Sequence, residues 1–324
     1  MRAVTCREYG PPEVLRIEHL ERPVPKDDEV LVAVHSTSVT SGDTRMRAFK
    51  GAGIFWLPMR LIFGVLRPRD PVTGMEFSGR VAEIGKGVTN FRVGDPVFGM
   101  KIGGANAEYV AVRETAAIAI KPQALGFEEA AVTPFGALSA LDFLRDFAKL
   151  KRGEKILIHG ASGAVGVFAV ELAKHMGATV TGVCSSANLE LVKSLGADEV
   201  IDYTAADFTQ SQSVYDVILD TVGGTSFSRS KRVLAPNGRH VFVVQDWPQL
   251  LQALWTSMRS GKRVICGFSG GDSAADLARI AGLIEQGVIR PVVDRTFHLD
   301  AIVDAHRYVE TGRKRGGVVI PVAA

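Results

Sequence analysis

The sequence predicts an α/β protein in which a doubly wound parallel sheet is joined to a smaller antiparallel barrel. Three observations predict it. The first third reads as short β-branched strands broken by glycine turns, in Glu29–Thr40, Phe77–Gly99 and Asn106–Val112. From Glu154 on, apolar strands alternate with helices. Between Lys155 and Ser186 one strand–helix–strand unit, KILIHGASGAVGVFAVELAKHMGATVTGVCSS, has a glycine-rich turn where the first strand meets the helix.

The whole chain sets the limits. Its 324 residues suffice for two domains, and 46% hydrophobic with 23% charged residues is ordinary for a globular protein. A net charge of +3 argues against a large nucleic-acid footprint, and the densest basic run, GRKRGG at Gly312–Gly317, reads as a solvated turn. Cys6, Cys184 and Cys266 form no CxxC pair, so neither a zinc knuckle nor a disulfide framework is indicated, which suits a reducing cytosol. The start, MRAVTCREYG, has no apolar signal core, so a cytoplasmic location is expected. The stretch Gly53–Leu66 is apolar but too short to span a bilayer, and Pro58 and Arg60 interrupt it. Neither nucleic acid nor membrane is expected as a partner.

Along the chain, the texture changes near Lys121–Pro122, where GFEEAAVTPFGALSALDFLRDF has helical spacing with acids in its first turn. Six strands are then expected: Lys155–His159, Thr179–Cys184, Glu199–Asp202, Asp216–Asp220, Arg239–Val244 and Arg263–Phe268. Helices are expected at Ala164–His175, Asn188–Leu195, Gln249–Met258 and Ala274–Gln286. The closing GGVVIPV has no place in a completed six-stranded sheet and is expected to return to the first domain. The resulting domains are 1–119, 120–289 and a return segment at 290–324.

The glycine turn has separable physical requirements. In Ala161-Ser162-Gly163-Ala164-Val165-Gly166, Ala161 takes the first position of a GxGxxG fingerprint, where a small residue permits the turn. Gly163 lets the backbone approach a pyrophosphate, and Gly166 lets helix pack on strand. The exposed N–H groups and helix dipole favour anionic phosphates, making Ser162, Gly163, Ala164 and Val165 expected dinucleotide contacts. The second strand ends in Cys184-Ser185-Ser186 rather than in a carboxylate. Ser185 and Ser186 with Lys193 suit a 2′-phosphate, so NADPH is the expected cofactor; the same residues also suit a helix cap and a solvated lysine. Tyr203 either stacks near the adenine or is an edge residue.

The chain resembles the zinc-free quinone oxidoreductase (zeta-crystallin-like) branch of the medium-chain dehydrogenase/reductase superfamily over nearly its full length. The resemblance rests on GMEFSGRVAEIGKGVTNFRVGDPVFG, GGANAEYVAV, LIHGASGAVG and SLGADEVIDY taken together. It implies a GroES-like barrel, a Rossmann domain and a homodimer. Where zinc-dependent relatives have a cysteine and a His-Glu pair, this chain has Thr40 and Met75-Glu76. A hydroxyl and a thioether are poor zinc ligands. Without that Lewis acid the acceptor must already be electron-poor, so the expected activity is zinc-independent NADPH reduction of a quinone or an α,β-unsaturated carbonyl.

The resemblance also implies site residues. Thr40 and Asn106 stand near the family's substrate cleft, where either is a candidate to hydrogen-bond the substrate oxygen. Thr133, Phe135 and Gly136 match the segment lining the nicotinamide end, as does VICGFSGG with Phe268. Asp43 matches an acidic loop-organising position. The apolar Phe49–Arg69 reads as a greasy rim for a planar substrate or as a packed helix or dimer contact. Two rivals remain: a zinc alcohol dehydrogenase, and a non-catalytic NADPH-binding structural or sensor protein.

Overall fold

The computed structural model describes residues 1–49, 56–258, 260–269 and 273–322. Residues 50–55 of the apolar segment and the Gly270–Gly271 end of VICGFSGG lie outside them. Two compact units divide the chain: Met1–Phe135 with Gly270–Ala324, and Gly136–Ser269.

The first unit begins with a two-stranded ribbon of β1 (Arg2–Cys6) and β2 (Leu15–His19). Its main sheet is built from β3 (Glu29–Ser38), β4 (Glu76–Ile84), β5 (Pro96–Met100), β6 (Tyr109–Arg113) and β7 (Ile118–Ile120). Helices α1 (Ser41–Ala48) and α2 (Trp56–Phe63) lie between β3 and β4, and α3 (Phe127–Ala131) follows β7. Val30, Val32, Val34, Phe77, Val97, Val110 and Ile118 fill its interior, the inward half of each alternating strand. Pro134 opens α4 (Pro134–Asp142), which runs on into the second unit and ends in a π-turn at Phe143–Phe147. The stretch with helical spacing thus holds two helices, because the residue before a proline is disfavoured in the α conformation.

The second unit is a six-stranded parallel sheet. Its strands are β8 (Lys155–His159), β9 (Thr179–Cys184), β10 (Glu199–Asp202), β11 (Tyr215–Asp220), β12 (Leu234–Phe242) and β13 (Arg263–Cys266), in the order β10-β9-β8-β11-β12-β13. This is the doubly wound order, with its reversal between β8 and β11. The connecting helices are α5 (Ala164–His175), α6 (Leu189–Ser194), α7 (Phe227–Ser230) and α8 (Trp247–Ser257).

The chain then returns to the first unit as α9 (Ala274–Glu285), β14 (Val293–Thr296), α10 (Ile302–Glu310) and β15 (Gly317–Pro321). Strand β15 pairs antiparallel with β3, the expected return of GGVVIPV. The unit boundaries differ from those read in the sequence, 119 and 289. The first falls after Phe135, because α3 packs on β3, β4, β5 and β15. The second falls before Gly270, because α9 packs against β7 with Leu277, Ile280, Leu283 and Ile284 buried.

Phe168 is fully enclosed on α5 and lies where a side chain at Gly136 would go. Phe168→Ala is expected to destabilise the second unit by about 3–5 kcal/mol through lost burial plus a cavity. Urea denaturation followed by far-UV dichroism would measure it.

Candidate active site

At the carboxyl edge of the parallel sheet, strand β8 turns sharply into α5. Gly160 makes the turn in the left-handed region (φ 80), so Ala161, the residue after it, is free to be alanine. A Cβ on Gly166 would stand 2.1 Å from the Gly160 carbonyl oxygen, so glycine there is required for the helix to dock. A Cβ on Gly163 would meet only that same carbonyl oxygen, at 3.4 Å, leaving the space over the turn open. Gly163 is the N-cap of α5, whose first turn carries no acidic side chain. An open cradle at an uncapped helix N-terminus fits a dinucleotide pyrophosphate. Gly136 is a packing glycine: its Cβ would lie 2.3 Å from the Ala164 carbonyl oxygen.

The serines of the second strand end are held by a residue the sequence reading passed over. The Asn188 amide donates to both Ser162 Oγ (3.1 Å) and Ser185 Oγ (3.2 Å), tying the glycine turn to the end of β9. Its only sequence signal is an asparagine at a helix start. Ser186 is exposed and hydrogen-bonds Asp202. Asp202 is the register partner of Cys184, so β10 supplies beside the serines the carboxylate that β9 lacks. The hydrogen bonds of the Thr204 hydroxyl and N–H, ahead of those from Ser186, hold the Asp202 carboxyl below the usual range. Tyr203 extends the pairing through its N–H to the Cys184 carbonyl (3.1 Å) and leaves its ring 58% exposed. Lys193 is exposed in the last turn of α6, about two helical turns along from Ser186, a placement that also suits the helix dipole. Phe268 is 62% exposed beyond β13.

In the first unit, the expected catalytic residues are buried and engaged. Thr40 caps α1: its hydroxyl donates to Asp43 Oδ2 (2.6 Å) and accepts from the Asp43 N–H (3.1 Å). The Asn106 carbonyl accepts from Thr37 Oγ1 (2.8 Å), and its amide donates to Thr73 Oγ1 (3.0 Å). Thr133 donates its hydroxyl back to the Glu129 carbonyl (2.8 Å) and is wholly buried. All three are buried, and each hydrogen-bonds within its own unit.

Beside Thr40 lies a group of shifted acids. Glu76 is 2% exposed and accepts from Ser38 Oγ and from the Phe135 N–H (2.7 Å). Burial pushes its carboxyl up to about 7 and that of Asp43 up to about 6. Half-buried Lys314 folds its ammonium onto the Gly316 carbonyl (2.6 Å), and desolvation draws it down to about 8. Zinc-dependent relatives would hold metal at Thr40 and Met75-Glu76, but these residues do not fit it. The Thr40 hydroxyl is spent, Met75 Sδ sits 3.7 Å from it, and both Glu76 oxygens have donors. Among the described residues no group of three His, Cys, Asp or Glu is placed to hold a metal ion.

Comparison with known proteins agrees with this architecture. Residues 26–123 match the alcohol dehydrogenase GroES-like domain, and 195–320 match the zinc-binding dehydrogenase family. The mouse mitochondrial NAD(P)H oxidoreductase RTN4IP1 is 33% identical, covering 99% of this chain and 89% of the relative. The chain belongs to the medium-chain dehydrogenase/reductase family, among its quinone-oxidoreductase-like members. The tomato (Solanum lycopersicum) 2-methylene-furan-3-one reductase is 32% identical over 99% of this chain and 79% of its own length. The solved quinone oxidoreductase of Coxiella burnetii superposes with a TM-score of 0.87 at 30% identity, covering 100% of this chain and 99% of that one. The family is one of nicotinamide-dependent oxidoreductases.

The buried acid yields a pH test. Burial raises the Glu76 carboxyl to about 7, so near neutral pH it holds a proton that the unfolded chain releases. Its stabilisation is full below the unfolded value and lost as pH rises through about 7. Glu76→Gln is expected to flatten the fall in unfolding free energy between about pH 5 and 8, by up to about 3 kcal/mol. Denaturant titrations across that range would reveal an unchanged slope if the group is ionised throughout.

Proposed function

We propose that the chain is an NADPH-dependent reductase that passes hydride to a quinone or to the β-carbon of an α,β-unsaturated carbonyl, without zinc. The observation that carries this reading is the spent donor set at Thr40, Met75 and Glu76. Gly163, Ala164 and Val165 would hold the pyrophosphate, with Ser162 fixed through Asn188. Ser185, Ser186, Lys193 and Tyr203 would face the adenosine end, and Gly136 and Phe268 the nicotinamide end. Bound there, a reduced nicotinamide supplies hydride. Thr40 and Asn106 act by shaping the barrel loops, since their polar atoms are already bonded. No side chain here replaces a Lewis acid, so the acceptor brings its own electrophilicity and the protein supplies positioning. Product protonation then falls to water.

The relatives support the acceptor class, one named as a quinone oxidoreductase and one for an exocyclic enone. Trp56, Leu57, Leu61 and Ile62 on α2 stay about half exposed, an apolar surface that suits a substrate rim. A homodimer is supported by the exposed stripe Trp247, Leu251, Leu254 and Trp255 along α8, continued by its C-cap Met258, and α8 packs beside the edge strand β13. No helix among the described residues is long and apolar enough to cross a membrane. A cytoplasmic location stays part of the proposal, since the mouse relative is mitochondrial.

One observation favours a second reading, NADH. Asp202 brings a carboxylate to the serine edge, where it would repel a 2′-phosphate and accept ribose hydroxyls.

Coenzyme oxidation across a panel of quinones, alkenals and enones, with NADPH and NADH in parallel, tests both readings. Turnover of these acceptors with NADPH favoured is expected; equal use of NADH supports the Asp202 reading. NADPH binding without turnover on any acceptor would favour a non-catalytic role, and stoichiometric tightly bound zinc by metal analysis would overturn the zinc-free chemistry. Lys193→Glu is expected to raise the KM for NADPH far more than for NADH; equal effects would remove Lys193 from the site.

A further inference from the structure

The parallel sheet has a second buried centre that the reading above does not use. His159 and Asp220 end the neighbouring strands β8 and β11 and are register partners. Their side chains meet, His159 Nδ1 to Asp220 Oδ1, at 3.2 Å. Asp220 has no exposed surface, and its carboxylate gathers the next turn. Oδ1 accepts from the N–H groups of Val222 (2.9 Å) and Gly223 (2.8 Å), and Oδ2 accepts from the Thr225 N–H (3.0 Å) and hydroxyl.

These bonds fix the proton positions. Charge-stabilising donors, His159 first among them, keep Asp220 ionised although burial opposes it. The Thr225 hydroxyl gives its proton to Asp220, so His240 Nε2, 3.0 Å from Thr225 Oγ1, is the donor of that pair. His240 is wholly buried, and desolvation pulls it down to about 4, which keeps it neutral. His159 therefore gives its Nδ1 proton to the carboxylate. A separate stitch joins the same two turns: Thr221 Oγ1 donates to the His159 carbonyl (2.9 Å) and reaches that of Gly160 (3.3 Å).

We propose that His159 is a positioning residue for the dinucleotide: its bond to Asp220 locks the glycine turn at Gly160–Gly163 to the turn at Thr221–Thr225. The inference rests on the reading of the glycine turn as the coenzyme cradle. Removing the imidazole leaves Asp220 with its backbone donors, so the second turn persists while its tie to the first weakens.

The test is direct titration of coenzyme into the purified full chain, followed by protein and nicotinamide fluorescence, with kcat at saturating coenzyme and thermal melting measured alongside. His159→Ala is expected to raise the Kd of NADPH and NADH by the same factor, about tenfold, with kcat within about twofold, the scale at which loss of a supporting bond weakens ligation elsewhere. His159→Asn, whose amide can donate to Asp220, is expected to restore affinity to within about threefold. The equal effect on both coenzymes separates this role from 2′-phosphate recognition, and the recovery with asparagine separates it from loss of packing. An unchanged Kd in His159→Ala, or an asparagine variant as weak as alanine, overturns the proposal. Should the alanine variant not fold, His159→Phe, which keeps a ring but has no donor for Asp220, replaces it, with a Kd raised for both coenzymes expected and an unchanged Kd overturning the proposal. A wild-type chain that binds neither coenzyme instead overturns the cradle reading itself.

Discussion

The close approach of α5 to β8 is the constraint on which the coenzyme edge depends. Helix and strand can touch there only because position 166 has no side chain to strike the Gly160 carbonyl, and only because Gly160 accepts a left-handed turn. With those conditions met, the first N–H groups of α5 fall over the carboxyl edge of the sheet, where the strand order reverses. The remaining features of the edge are fastened to that turn. Asn188 draws the end of β9 to it, and Thr221 draws the end of β11 to it.

The first unit solves a different problem. Its barrel buries two carboxyl groups, Asp43 and Glu76, which would be costly as unpaired charges. Burial raises both, and each is given donors: Thr40 for Asp43, and Ser38 with the Phe135 N–H for Glu76. A metal ion would need those same oxygens. The network is thus an alternative to a metal centre, satisfied by hydrogen bonds within the barrel.

Much of this was legible in the sequence, and the limits have physical causes. The strands Lys155–His159, Thr179–Cys184 and Glu199–Asp202 and the helix Ala164–His175 fall where the apolar pattern places them, because buried parallel strands are unbroken apolar runs. The packing role of Gly166 was also legible, since it follows from backbone contact alone. Unit boundaries were not, because α3 and α9 look like ordinary amphipathic helices and only tertiary packing assigns them to the barrel. The bonding of Thr40 and Asn106 within the barrel was illegible for a related reason. Their residue types suit substrate hydrogen bonding, but nothing in the chain reveals that Asp43, Thr37 and Thr73 already occupy their polar atoms. Asp202 was missed because the pattern looks for a carboxylate at the end of the second strand, whereas the register brings one from the third.

Asp220 shows why a buried charge is kept at such an edge. A carboxylate stripped of water is expensive unless its lone pairs are filled. Here they are filled by an imidazole, a hydroxyl and three backbone N–H groups from the segment that follows. An asparagine would turn half of that acceptor set into donors and push it against N–H groups that have no other partner. The negative charge is therefore the means by which one small side chain holds a whole turn and fastens it to the neighbouring strand end.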